Sequence, residues 1–350
     1  MYGPVRSLLA PLLLALTVVS CAPGRTAIAP AGGQPLPPPA VSLPLVVGAD
    51  RLWPLPDGPD AFAAIREVLK QARHSIQLEM YEFQRPDLAG MILDDFARGI
   101  AVTALMDPSE RSSQAIWMLL RQAGIPVIAF PIEPRTIDHV KMLIVDSERA
   151  IVGGINWGRN SPLNHDFDLL LEGPVVANLG RVFAQDLAIA GQPQVVPSAQ
   201  PDAAVQVLVT RPGDAIHSAA LALMDAARQS IVMEMFDLSD RLVLDSLTGA
   251  RGRGVAVRVL LEPTQSQNAD AMALLRRAGA QARFFNPVGA ELLHAKLALI
   301  DGATVLFGSC NWTRSGFSRN HELDLLVRDG ALAQIFRARA DQDWATMSAP

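Results

Sequence analysis

Two stretches of this chain space histidine, lysine and aspartate identically. Residues 139–146 read HVKMLIVD and residues 294–301 read HAKLALID, both His-x-Lys-x4-Asp. Six residues later each is followed by small residues and an asparagine, GGIN at 153–156 and GSCN at 308–311. Lysine is a compact cation suited to phosphate oxygens, and an asparagine amide can donate to the same group. Lys141, Lys296, Asn156 and Asn311, gathered around one phosphorus, would stabilise the extra negative charge of a five-coordinate transition state. One of His139 and His294 could attack phosphorus while the other protonates the leaving oxygen, with the roles exchanged when water attacks the phosphohistidine. This scheme needs neither a metal nor a cofactor. The ligand spacings of common metal sites, such as His-x3-His or a cysteine pair, are also missing from the sequence.

Strand geometry sorts these residues. His139 and Lys141 lie two apart and share a face, while Val140, Met142 and Ile144 point to the other. His294 and Lys296 behave alike. Asp146 and Asp301 follow their histidines by seven places, an odd number, so they leave the opposite face or cap the strand end. They read as structural, holding a turn or a neighbouring backbone.

The duplication extends far beyond the motif. QARHSIQLEMYEF at 71–83 matches AARQSIVMEMFDL at 226–238, ARGIAVTALMDP at 97–108 matches GRGVAVRVLLEP at 252–263, and LLRQAG at 119–124 matches LLRRAG at 274–279, all at an offset of 155 residues. NHDFDLLL at 164–171 matches NHELDLLV at 320–327 with the offset increased by one. The chain is therefore two copies of a unit of roughly 150 residues. Within each copy, helical spacing (from about Pro59 to Arg73, then RPDLAGMILDDFARG, then SSQAIWMLLRQAG closed by Gly124) alternates with strand-like runs (SIQLEMYEF, IAVTALMD, VIAF, VKMLIVD, AIVGG). That alternation predicts an α/β fold, with a mixed sheet flanked by helices in each repeat. Two such units side by side predict a four-layer or continuous-sheet sandwich.

The chain has 350 residues, of which 50% are apolar and 19% charged, enough for two core-forming units. Its formal net charge is −5. Proteins that grip long nucleic acids usually carry basic excess, so nucleic acid is the weaker expectation as substrate. The N-terminus reads as a leader. Arg6 precedes an apolar run at 8–19 that is short for a membrane span and ends in Val18-Val19-Ser20-Cys21, as in a bacterial lipobox. The expected organisation is a lipoprotein-type signal peptide at 1–20, a Pro/Ala/Gly-rich tether at 21–47, repeat 1 at 48–195 and repeat 2 at 196–350. Acylation of Cys21 would hold the exported protein at the cell envelope. A second weak boundary falls at 191–204. Cys310, the sole other cysteine, reads as a packed small side chain.

The doubled HxKx4D followed by G-[SG]-x-N resembles the phospholipase D superfamily, over about residues 55–345. The resemblance implies two pseudo-symmetric repeats around one shared active site, and phosphodiester chemistry through a phosphohistidine without metal. It makes His139 the nucleophile and His294 the acid, and gives phosphate binding to Lys141, Lys296, Asn156, Asn311 and Ser309, with Gly154 in place of the first copy's serine. It also implies that Asp166 and Glu322, after the asparagines of NHD and NHE, hold a catalytic imidazole through its other nitrogen. Their neighbours His165 and His321 would face the opposite way on a strand and read as structural. Glu79 and Glu234, alternating with apolar residues on matching strands, receive no catalytic role, and Trp157 and Trp312 read as core. The expected activity is phospholipase D-type hydrolysis of phospholipid headgroups at a membrane surface, by a monomer. The alternatives are a phosphatidyltransferase of the cardiolipin synthase type, a nuclease, and a non-catalytic headgroup-binding lipoprotein.

Overall fold

The computed structural model describes residues 43–200, 204–211 and 213–346. The expected signal peptide, Cys21 and the tether as far as residue 42 lie outside the described residues. The remaining tether residues include Leu45–Val47, which composition assigned to the linker but which form the first strand, paired antiparallel with the next.

In repeat 1 the elements are β1 (Leu45–Val47), β2 (Asp50–Leu55), α1 (Gly58–Lys70), β3 (Ser75–Met80), α2 (Pro86–Ala97), β4 (Ala101–Met106), α3 (Gln114–Gln122), β5 (Val127–Ala129), β6 (Lys141–Val145), β7 (Arg149–Gly153), β8 (Asp168–Glu172) and α4 (Pro174–Ile189). Repeat 2 gives β9 (Val205–Val209), α5 (Ala215–Ala226), β10 (Ser230–Met235), α6 (Arg241–Gly252), β11 (Ala256–Leu261), α7 (Asn268–Arg277), β12 (Gln281–Phe284), β13 (Lys296–Ile300), β14 (Thr304–Gly308), α8 (Arg314–Ser318), β15 (Leu323–Arg328) and α9 (Gly330–Ala345).

Local chemistry sets several boundaries. α1 starts where the Asp57 carboxylate accepts from the Asp60 N–H at 3.2 Å, with Pro59 in its first turn. α6 and α9 are capped the same way by Asp240 and Asp329. The chain leaves α3 through Gly124 at φ 92°, a left-handed position that glycine adopts at no steric cost.

The strands form one sheet per repeat, ordered β1-β2-β8-β7-β6-β3-β4-β5 and β12-β11-β10-β13-β14-β15-β9. Each sheet is mixed: β3 pairs parallel with β4 and antiparallel with β6, and β10 pairs parallel with β11 and antiparallel with β13. Within the described residues the α/β reading of two repeats therefore holds.

The layering differs from both expected arrangements, the four-layer and the continuous-sheet sandwich. One apolar core lies under α1–α3, and another under α5–α8. A third, between the sheets, combines Met142, Val152 and Leu169 of one sheet with Leu297, Phe307 and Leu325 of the other. Into it project Leu179 and Phe183 of α4 and Leu332 and Phe336 of α9. Each of these two helices touches strands of both sheets, which makes an α-β-α-β-α stack. An apolar stripe facing two sheets is best buried in the middle layer. The sheets also touch directly where β7 meets β14 and β15, and the motif residues lie around this junction.

Candidate active site

The motif histidines are placed by contacts between the repeats. His139 N–H donates to the His321 carbonyl, and His321 N–H to the Ile137 carbonyl, both at 2.8 Å. The mirror contact has His294 N–H on the His165 carbonyl and His165 N–H on the Leu292 carbonyl, both at 2.9 Å. Each motif histidine thus sits in a short parallel bridge with the other repeat's Asn-His-acid segment. One residue further along that segment, the acid falls opposite the imidazole.

The carboxylates consequently cross over. Glu322 Oε2 lies 2.8 Å from His139 Nδ1, and Asp166 Oδ2 lies 2.7 Å from His294 Nδ1. A carboxylate only accepts, so these bonds put the proton on Nδ1 and leave the lone pair on Nε2. Both imidazoles are almost wholly buried. Burial pulls His139 below the ordinary histidine range, with Glu322 opposing and Lys141 and Lys296 adding to the fall. Burial takes His294 down to about 4, helped by the Lys296 ammonium and opposed by Asp166.

Lys141 and Lys296 are also buried, at 3% and 1% exposure. Each Nζ donates to the carbonyl of its own motif histidine, and the Lys296 Nζ also lies 3.1 Å from His294 Nε2. Burial lowers Lys141 to about 7 and Lys296 to about 8. Lys141 feels Glu322, Lys296 and Asp166, and Lys296 feels Asp166 and Glu322, so charges from both repeats act on one locus.

Asn156 and Asn311 follow β7 and β14, and each has a buried Oδ1 without a protein partner. Ser309 is placed differently from its expected phosphate contact. Its hydroxyl donates to Glu322 Oε2 at 2.7 Å and accepts from the Leu323 N–H at 3.0 Å, which makes it a support for the carboxylate. Gly154 has a matching structural reason, since a Cβ there would stand 2.1 Å from Asp166 Oδ1. The shorter aspartate sits against a glycine, whereas the longer glutamate reaches past a serine.

Asp146 and Asp301 lie at the far ends of their strands. Asp146 accepts from the backbone N–H groups of Arg73, His74 and Ser75 at 2.7–2.9 Å. Asp301 does the same for Arg228, Gln229 and Ser230. Burial alone would raise both carboxyls, but the three backbone donors outweigh it and hold them below the usual aspartate range. Asp146→Ala or Asp301→Ala should each cost about 1–2 kcal/mol, the low end for charged hydrogen bonds because solvent screens these sites. Because the folded-state pKa is depressed, this contribution is present at neutral pH and is lost as pH falls through the aspartate range. Urea melts of wild type and variants at pH 7 and pH 3 check this, with the difference shrinking at the lower pH.

Four residues of the site went unassigned in the sequence. Asp168 Oδ1 accepts from the Ile155 N–H at 3.3 Å and Asp324 Oδ1 from the Cys310 N–H at 3.0 Å, which shapes the turns that carry the asparagines. Gly153 and Gly308 permit this, because a Cβ at either would stand 2.2–2.4 Å from the carboxylate. Tyr81 and Phe236 pack their rings 5.0 Å from His139 and His294, with the lysine ammoniums 5.1 and 5.2 Å from the same rings. All four stand at matched positions of the repeats, which was the available signal. Trp157 and Trp312 are fully buried, as is Cys310, whose thiol is pushed up by burial.

Comparison with known proteins agrees with this geometry. A family profile described as cardiolipin synthase, PLD-like domain, matches residues 65–187 and 220–344, once in each repeat. Cardiolipin synthase A of Pseudomonas fluorescens (strain SBW25) is 27% identical over 314 residues, covering 79% of this chain and 65% of that protein. Cardiolipin synthase A of Yersinia pseudotuberculosis serotype O:1b (strain IP 31758) is 26% identical over 340 residues, covering 83% and 68%. The chain thus spans about two thirds of the length of these relatives. The crystal structure of phosphatidylserine synthase from Haemophilus influenzae Rd KW20 superposes with a TM-score of 0.68 at 13% identity, over 87% of each chain, and shares the fold. With both repeats matched by the family profile and both half-sites built on the same histidine, lysine and asparagine, the chain belongs to the phospholipase D superfamily, in its cardiolipin synthase, PLD-like domain family.

Proposed function

We propose that this protein is a phosphatidyltransferase, moving a phosphatidyl group from one phospholipid to an alcohol acceptor through a phosphohistidine. The observation that carries this reading is the crossed pair of histidine–carboxylate couples with two lysines at one buried locus. The names of the relatives turn the reading toward transfer and away from the hydrolysis expected from the sequence.

Nε2 of the nucleophilic histidine attacks phosphorus. The P–N bond forms and the P–O bond to the first alcohol breaks, while the second histidine, entering the step as an imidazolium with its Nδ1–H on the carboxylate, gives its Nε2 proton to that oxygen. This second histidine, now neutral, takes the proton of the acceptor hydroxyl as its oxygen attacks phosphorus and the P–N bond breaks. Lys141, Lys296 and the two asparagine amides hold the phosphoryl oxygens, while Glu322 and Asp166 stabilise whichever imidazolium forms. Resemblance gives the first attack to His139. Burial holds both imidazoles toward the neutral form, so either can make the first attack. Both half-sites come from one chain, so no second copy is needed. Acylation of Cys21 and delivery to the envelope membrane belong to the same proposal.

The test is mass spectrometry of lipids after incubation with phosphatidylglycerol vesicles, with and without ethanol. Cardiolipin, with phosphatidylethanol when ethanol is added, supports the reading. Phosphatidic acid alone would return the assignment to hydrolysis. No lipid product, with cleavage of single-stranded DNA, would replace the substrate class.

The lysines make a separate pH prediction. Their folded-state values are lowered, so the cationic form that binds an anion is present below about 7 to 8 and lost above it. Affinity for an oxyanion such as tungstate should fall by roughly tenfold per pH unit above pH 8 for each lysine titrated. Calorimetry between pH 6 and pH 9 checks this, and flat affinity across that range would refute it.

A further inference from the structure

Behind His139 lies a second polar cluster that the phosphate chemistry leaves unused. Glu79 of β3, Asp138 just before β6, Asp186 of α4 and His321 just before β15 are each exposed by 1% or less. One ligand-type atom from each of Glu79, Asp138 and His321 falls within 4.8 Å of the other two. His321 Nε2 is 3.7 Å from Glu79 Oε1 and 3.0 Å from Asp186 Oδ2, yet neither approach has hydrogen-bond geometry. Both oxygens of Glu79 and both of Asp186 are buried without a donor. Among the described residues, no lysine or arginine forms an ion pair with Glu79, Asp138 or Asp186. Lys141, three residues beyond Asp138, is turned to the His139 carbonyl.

In the other repeat the same place carries an arginine, although both oxygens of Glu234 are likewise buried without a donor. There the matching residues are Glu234, His165 and Asp343, and the position of Asp138 is taken by Leu293. Arg339, four residues before Asp343 on α9, reaches its carboxylate at 3.2 Å and lies 2.6 Å from His165 Nδ1. Four residues before Asp186 on α4 stands Val182. One cluster therefore has an arginine and one carboxylate fewer, while the other has an extra carboxylate and no arginine. Three buried carboxylates against a single histidine are strongly unfavourable unless further neutralised. Ligands at about 2.1 Å from a common ion sit roughly 3.0–3.4 Å apart or more, which suits the contacts around His321 Nε2.

We propose that Glu79, Asp138 and His321 bind one divalent transition-metal ion of the zinc or manganese kind, with Asp186 beside His321 as further negative charge, and that the ion pins the two repeats together behind His139. Imidazole plus carboxylates is a donor set for such ions. Its place gives the ion a structural task. Asp138 and His321 flank the inter-repeat bridge that sets His139 against Glu322, so the ion would fix that bridge as Arg339 fixes its counterpart.

The experiment is elemental analysis of the full chain, produced with added zinc and manganese and dialysed against metal-free buffer. About one equivalent of a single metal is expected in wild type, and less than about a tenth in Glu79→Gln and Asp138→Asn. If either variant fails to fold, refolding of wild type from denaturant decides the matter. Native circular dichroism and melting should return with Zn2+ or Mn2+ and not with a chelator alone. Wild type with less than about a tenth of an equivalent of metal, refolding equally well in chelator, would overturn the proposal and leave protons as the neutralising charge. Equal metal content in wild type and in both variants would overturn it too. None of these readouts depends on the transfer reaction.

Discussion

His139→Asn and His294→Asn should each reduce the proposed phosphatidyl transfer by roughly 10^4-fold or more, because residues that act as one unit lose nearly everything when any member is removed. The losses become distinguishable with a substrate whose leaving group is an acidic phenol, which needs no proton from the enzyme. If His139 is the nucleophile, His294→Asn still releases one equivalent of phenol and accumulates phosphate on His139. The accumulation follows because the residue that deprotonates the acceptor is also missing. His139→Asn then gives neither burst nor phosphoenzyme. The opposite pattern would move the first attack to His294. Bursts and phosphoenzyme in both variants, or wild-type turnover in either, would remove the two-histidine mechanism. Peptide mapping under alkaline conditions, where phosphohistidine survives, is the measurement.

The second large effect belongs to the crossed carboxylates. Glu322→Gln and Asp166→Asn should each lower kcat by roughly 10^2- to 10^4-fold with little change in KM, since an amide can hold the imidazole in the wrong tautomer and cannot stabilise the imidazolium. The crossing has its own signature. Each Nδ1–H held by a buried carboxylate should give a low-field proton resonance. Glu322→Gln should abolish or shift the signal that His139→Asn removes. Asp166→Asn should affect the one that His294→Asn removes. Pairing within a repeat, Glu322 with His294, would contradict the 2.7 and 2.8 Å contacts. Ser309, which donates to Glu322, should act in the same direction as Glu322 but more weakly.

The doubled motif made much of this legible before any coordinates. Alternation along HVKMLIVD and HAKLALID placed each histidine with its lysine on one face, because side-chain direction in a strand has a period of two. The odd spacing of Asp146 and Asp301 sent them to the strand ends, where each binds three backbone donors. Ser309 was harder to read. Its position suggested phosphate, but its hydroxyl is bonded to Glu322, a choice made by a segment thirteen residues away. Asp168 and Asp324 looked like ordinary strand residues until the turns they hold came into view.

The sequence by itself determined the two repeats, their α/β class and the chemical set of histidine, lysine and asparagine, because these follow from periodicity and residue type. Only the tertiary structure decided which acid serves which histidine, that α4 and α9 fill a middle layer, and that Glu79, Asp138, Asp186 and His321 meet. Those facts depend on contacts between residues far apart in the chain: Glu79 meets His321 across 242 positions, and α9 reaches β2 from still further. Strand and helix periods say which face a side chain takes, but carry no information about which distant face it will meet. Here the junction of two nearly equivalent halves settled it, and small departures from equivalence, Gly154 for Ser309 and Val182 for Arg339, are where the two halves differ in structure.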